Sequence, residues 1–343
     1  MNNFVRLFIN PVLLAFFLAF VTTPVVIKFA WKIGIIDDPK KTTHPKTIHT
    51  YPVPRGGGLA IFIALALAIA SFLPLDSHIQ AILLAATFIT IIGILDDKYD
   101  INPYFRLLAQ LVAATIPILA GIGINFINNP FGTGIIDLSK YPILADIFAI
   151  FWIVFLMNIL NMGAKGVDGQ LSGTVAIAAI FIGILSLKFS ADIAQWPVII
   201  LASITAGAFL GFLPWHIYPQ KIMPSFAGSN LAGFMLAILS ILSTTKVGTL
   251  AVVLGVPIID TGYTIVRRVL SGKSPVWGDR GHLHHKLLDS GWSKRKVALF
   301  YWLVTALLGV ISLSLNANLK LYTIVGVAFF VGGLLLWLTY RSK

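Results

Sequence analysis

Two adjacent acids, Asp96-Asp97, close an apolar run in the stretch GILDDKYD, and a histidine cluster, His282-Leu283-His284-His285, lies near the far end of a chain that is otherwise largely hydrocarbon. Ionisable groups at a membrane face are costly to place, so such clusters are functional suspects. Carboxylates set side by side bind a hard cation or handle phosphate, while histidine and lysine neutralise an anionic substrate. Asn158 and Asn161, one helical turn apart, precede Lys165-Gly166-Val167-Asp168-Gly169. Buried amides there would need partners, and the glycines let backbone approach a ligand closely. Asp168 could act as a nucleophile activator, a sugar-binding acid or a metal ligand. His282 and His285 share a face if their segment is helical, with His284 off it, and a zinc site would lack a clear fourth ligand. Each cluster also has a plainer reading: a solvated helix end, a glycine loop, exposed loop histidines.

The elements that must position these groups follow from composition. With 57% hydrophobic and 11% charged residues and a mean hydropathy of +0.90, the chain is not a water-soluble globule. Apolar stretches of about 20 residues, enough to cross the hydrocarbon layer as helix, recur throughout. They predict an all-α, polytopic bundle of about eleven spans in one domain, 1–343. The spans run near Leu7–Phe29, Gly57–Pro74, Gln80–Leu95, Leu107–Ile124, Pro142–Leu160, Leu171–Leu187, Ala194–Leu213, Asn230–Leu242, Val247–Val266, Val297–Leu315 and Leu321–Tyr340. The eighth is the shortest. Between the fourth and fifth, Asn125 to Lys140 reads as a hairpin.

Lys and Arg fix the orientation, because positive loops stay in the cytoplasm. All of them except Arg6, Lys140, Lys188, Lys246 and Lys320 fall in alternate connections or at the C-terminus. This predicts N-terminus out, C-terminus in, and makes the net charge of +12 a consequence of topology rather than a nucleic-acid footprint. The first apolar segment lacks a small-residue cleavage site and reads as a retained span. Zero cysteines exclude disulfides and thiolate metal sites. On this topology Asp37, Asp38, His44, His49, Asp96, Asp97, Asp100, Asp168, Asp279, His282, His284 and His285 all meet at the cytoplasmic face. A transporter would instead place ionisable groups near the midplane, and only Asp260 is a candidate for that depth.

Taken in order, Asp38-Pro39 with His49 and Pro52-Val53-Pro54-Arg55-Gly56-Gly57, then Asp96-Asp97, Asn158 to Gly169, Pro257 to Asp260, Arg267-Arg268, Ser274-Pro275, Asp279-Arg280 and His282 to His285 resemble the polyprenyl-phosphate N-acetylhexosamine-1-phosphate transferase family, glycosyltransferase family 4. The likeness is nearest the branch using UDP-N-acetylglucosamine and related sugars. It implies that a polyprenyl phosphate attacks a UDP-sugar at the cytoplasmic face of the inner membrane, releasing UMP and starting a lipid-linked cell-envelope glycan. The implied partners are the UDP-sugar, the lipid phosphate and the bilayer; a homodimer is compatible with the chain and not required by it. Magnesium is the implied cofactor, with Asp96, Asp97 and Asp168 as catalytic acids and as its ligands. His49, Asn158, Asn161, Lys165, Arg280, His282, His284 and His285 are the implied substrate-binding residues.

Two positions depart from the family pattern. Lys165 stands where an acid is expected before the later Asp-Gly, and Phe226, in Ser225-Phe226-Ala227-Gly228-Ser229, stands where a metal-binding Asp is expected. Two readings follow: an enzyme with a remodelled site, or a catalytically impaired relative that keeps lipid or nucleotide binding as a regulatory or partner subunit.

Overall fold

The computed structural model describes residues 3–40, 48–129, 131–132, 134–243, 247–274 and 280–341; His44, Lys246, Pro275 and Asp279 lie outside them. A five-residue π-helical turn leads into α1 (Asn10–Ile33), followed by α2 (Gly57–Phe72), α3 (Ser77–Tyr99), α4 (Pro103–Leu119), α5 (Pro142–Gly163), α6 (Gln170–Leu187) and α7 (Trp196–His216). Then come α8 (Ser225–Leu242), α9 (Val247–Val253), α10 (Gly255–Leu270), the short α11 (Leu283–Asp289), α12 (Lys294–Ser312) and α13 (Ala317–Arg341). Among the described residues, eight helices are long and apolar enough to cross a membrane, nine if α9 and α10 count as one span, and α2 and α4 are shorter apolar helices. Each predicted apolar stretch therefore coincides with helix.

Local chemistry sets the helix ends. Asp76 caps α3 by accepting from the Ile79 N–H at 2.9 Å. Asn102 caps α4 by accepting from Tyr104 N–H at 2.9 Å, with Pro103 in the first turn, where its missing N–H costs nothing. The 125–140 segment is the expected hairpin, with β3 (Phe126–Asn128) antiparallel to β4 (Ile135–Asp137). A second small ribbon, not foreseen, pairs β1 (Ile36–Asp37) with β2 (Val53–Pro54).

Two expectations need correction. The ninth span is not straight: α9 and α10 meet at 78°. Pro257 offers no N–H to the Val253 carbonyl and its ring crowds that turn, while Gly255 relaxes the backbone beside it. The eighth span is longer than Asn230–Leu242 and is not the shortest. It runs the full Ser225–Leu242, and 94% of its most apolar window is buried, against α2, α3, α5, α6, α7 and α9.

The approach to α8 is close because small residues line it. A Cβ built on Gly93 of α3 would stand 2.5 Å from the Ala227 Cα, and one on Gly58 of α2 would stand 2.5 Å from the Ala227 Cβ. Backbone contact of this kind holds helices together where lipid removes the hydrophobic drive. Gly93→Val is expected to destabilise by about 1–3 kcal/mol through overpacking, read as a lowered thermal midpoint in detergent; an unchanged midpoint would mean that α3 and α8 are not in backbone contact.

Candidate active site at one end of the bundle

The acid pair sits on the last turn of α3, and both side chains are buried. Asp96 faces Arg106 of α4, with Nη1 3.4 Å from Oδ2, while its Oδ1 accepts from the Ile101 N–H at 3.1 Å. Asp97 faces Arg55, with Nε 3.6 Å from Oδ1, and the same oxygen takes the Phe226 N–H at 3.4 Å. Its other oxygen, Oδ2, is buried with no hydrogen-bond partner. A buried polar atom left unsatisfied is costly and calls for an explanation.

Arg55 reaches Asp97 because the chain around it is pinned to the α7–α8 connection. Met223 N donates to Pro54 O and Gly57 N to Met223 O, each at 2.9 Å. Gly56, at φ +85°, makes the turn into α2 in the left-handed region that suits glycine. Arg106 also lies over the Phe226 ring, 5.5 Å from its centroid. Lys165 bears electrostatically on both carboxylates, and its Nζ donates to Asn161 Oδ1 at 2.6 Å. Ser229 Oγ donates to that same oxygen at 2.9 Å. Two carboxylates thus face three cations drawn from the segment before α2, from α4 and from the α5–α6 connection.

That connection is held by a residue whose role sequence reasoning missed. Gln170 Oε1 accepts from the N–H groups of Gly166 and Val167, both at 3.1 Å, and Nε2 donates to Gly163 O at 3.1 Å. Asn158 is occupied one layer deeper: its amide donates to Gln110 Oε1 at 2.8 Å, and Gln110 donates in turn to Asn230 Oδ1 at 2.6 Å.

The histidines form a second group. His282 Nδ1 is 3.0 Å from Asp260 Oδ2, and the Leu283 N–H donates to Asp260 Oδ1 at 2.7 Å. Asp260, a candidate for transport at the sequence level, is fully buried and serves as the histidine's carboxylate partner. His282 Nε2 is buried with no hydrogen-bond partner. The expected pairing of His282 with His285 on one helical face is not met. His282 precedes α11 in extended backbone, so its ring stacks on His284 at 5.5 Å, and His284 lies 4.4 Å from His285. The two groups touch at Gly166, where any Cβ would fall on the His284 ring. Beside them a cavity of about 380 Å³ is lined by Arg267, Arg268, Lys273, Arg280 and Lys286. Arg280 pairs with Asp289 at 2.7 Å and Lys286 Nζ donates to Thr339 at 2.7 Å.

Asp168 stands with different neighbours. Lys294 Nζ is 3.5 Å from its Oδ1, and Gln220 N–H donates to Oδ2 at 3.2 Å. Burial, and then the Asp168 charge, push the nearby Tyr51 phenol above its usual range. His49 is buried, with Nε2 3.8 Å from Asp37 Oδ1.

A relative from Bacillus subtilis (strain 168), named probable undecaprenyl-phosphate N-acetylglucosaminyl 1-phosphate transferase, is 32% identical over 307 residues, covering 87% of this chain and 82% of that protein. The chain belongs to glycosyl transferase family 4. The model of that family matches residues 79–244, which include Asp96, Asp97, Asp168 and Phe226. A decaprenyl-phosphate N-acetylglucosaminephosphotransferase of Mycolicibacterium smegmatis is 30% identical over 80% of this chain and 73% of its own length. An undecaprenyl-phosphate alpha-N-acetylglucosaminyl 1-phosphate transferase of Yersinia pestis is 28% identical over 83% of this chain and 78% of its own.

Magnesium, implied by the likeness to glycosyl transferase family 4, meets a poor donor set in this member. Asp96, Asp97 and Asp168 do not form one ligand group. Among the described residues no three histidines or carboxylates are placed to hold a metal ion, and both acids of the pair already face guanidinium groups.

Proposed function

We propose that this chain transfers N-acetylhexosamine-1-phosphate from a UDP-sugar to polyprenyl phosphate at the cytoplasmic face of the inner membrane, releasing UMP and starting a lipid-linked envelope glycan. The observation that carries the reading is the buried Asp96-Asp97 pair, ringed by cations at one end of an apolar helical bundle in a chain of this family. An oxygen of the lipid phosphate attacks the sugar-linked phosphorus, the bond to the bridging oxygen of UMP breaks, and UMP leaves with the electron pair. Such transfers need positioning and neutralisation of spreading charge more than covalent chemistry.

The roles follow from what each group touches. Asp97 Oδ2, buried and unpartnered, takes or orients the proton of the lipid phosphate, and Arg106 holds Asp96 in place beside it. Arg55 and Lys165 meet the diphosphate. His282, aligned by Asp260, joins His284, His285 and Arg280 around the nucleotide, whose phosphates suit the neighbouring basic cavity. Asn161 holds Lys165, Asn158 braces the amide ladder behind the pair, and His49 and Asp168 close the opposite rim. Orientation with this end in the cytoplasm agrees with the placement of Lys and Arg: Arg6 over Trp196, and Lys188 on Leu313 O at 3.2 Å, lie at the other end. The catalytically impaired alternative draws no support from relatives that carry transferase names over most of the chain.

The test is UMP release by purified protein from UDP-N-acetylglucosamine, with and without undecaprenyl phosphate. Release that requires the lipid is expected. No lipid-dependent release with this or any other UDP-hexosamine would overturn the reading.

A further inference from the structure

The charge balance at the acid pair is unusual for a site meant to hold a divalent cation. Arg106 stands 3.4 Å from Asp96 and Arg55 3.6 Å from Asp97, so each carboxylate already has a cation. Lys165 adds a third charge, and it is not a stray one. Asn161 Oδ1 holds its ammonium at 2.6 Å. Ser229 fixes that oxygen while its own hydroxyl lies 2.9 Å from Ser225 O, so α8 anchors the lysine through two side chains. The third acid that would complete a ligand set is missing. At the first turn of α8, where a ligand could reach Asp97, stands Phe226. It offers a backbone N–H to Asp97 and its ring to Arg106. A divalent ion entering here would meet three positive charges, with Asp97 Oδ2 the one oxygen of the pair left without a partner.

We propose that Lys165, together with Arg55 and Arg106, supplies at Asp96-Asp97 the positive charge that a divalent cation would otherwise bring, so that the transfer runs without a metal. This rests on the transferase reading above. The bonds made and broken are those already given. The lipid phosphate's proton, where present, goes to Asp97. The negative charge that builds on the transferring phosphoryl oxygens is met by the ammonium and by the guanidinium of Arg55, fixed donors of the kind that serve such transition states.

The experiment measures UMP release in excess magnesium and in excess EDTA, and separately manganese binding to the lipid-free, donor-free protein by electron paramagnetic resonance. Release in EDTA within about threefold of that in magnesium is expected, with no stoichiometric manganese bound. A loss of 100-fold or more in EDTA overturns the proposal, as does one bound manganese that Asp97→Asn abolishes. Should UMP be released under neither condition from any UDP-hexosamine, the transferase reading falls, while the manganese measurement still decides whether the site holds a metal. Lys165→Met should lower release about 100-fold and Lys165→Arg should recover most of it. The double variant K165D/F226D should turn release magnesium-dependent, a switch that a merely structural lysine would not produce.

Discussion

Asp97→Asn is expected to cut UMP release by about 10³-fold or more, within the range for a positioned proton acceptor, while the yield and thermal midpoint of the purified protein stay nearly unchanged. Asparagine keeps the shape of the side chain. Its oxygen can still accept from the Phe226 N–H, the bond seen at 3.4 Å, and its NH₂ takes the place of Oδ2, which has no protein partner to lose. Arg55, with 29% of its side chain exposed, can turn to water. The fold therefore has little at stake in the charge and the chemistry has a great deal. Lipid-dependent release at the parent rate in Asp97→Asn would remove Asp97 from the reaction.

Asp260→Ala is expected to act on stability and on donor binding together. It leaves His282 and the Leu283 N–H without their acceptor in a fully buried place, a change that costs about 3 kcal/mol or more. The more telling variant is Asp260→Asn. The Leu283 N–H demands the amide oxygen, so the NH₂ must point at His282 Nδ1. The ring then has to carry its proton on Nε2, the atom that the proposed site leaves for substrate. The expected result is a KM for the UDP-sugar raised about 10-fold or more with a near-normal thermal midpoint. A normal KM in both variants would mean that His282 does not meet the donor.

The helical architecture was largely legible because apolar length reports on the bilayer directly. The bend at Leu254 was not, since hydropathy carries no direction, although Gly255 and Pro257 mark it in hindsight. The acid pair and the histidines stood out by type alone. Their partners did not: Asp97 meets Phe226 across 129 residues, and Asp168 meets Lys294 across nearly as many. Asp260 had a readable signal, an acid inside an apolar run that must find a partner, but nothing local pointed to His282. The spacing of the histidines misled because it assumed helix from His282 onward, and the helix starts one residue later. The Gln110–Asn158–Asn230 ladder joins three helices, and only packing brings it together.

The burial of α8 also sets an order of manufacture. Arg55, Asp96, Asp97, Arg106, Asn161, Lys165, Phe226 and Ser229 all precede Ser243, and of the helices packed on α8 all but α9 are earlier in the chain. Every group of the acid–cation half is therefore synthesised before Asp260 and the histidines. The acid–cation half can begin to assemble in the membrane during translation, and the histidine half closes onto it at Gly166 only as the last helices insert.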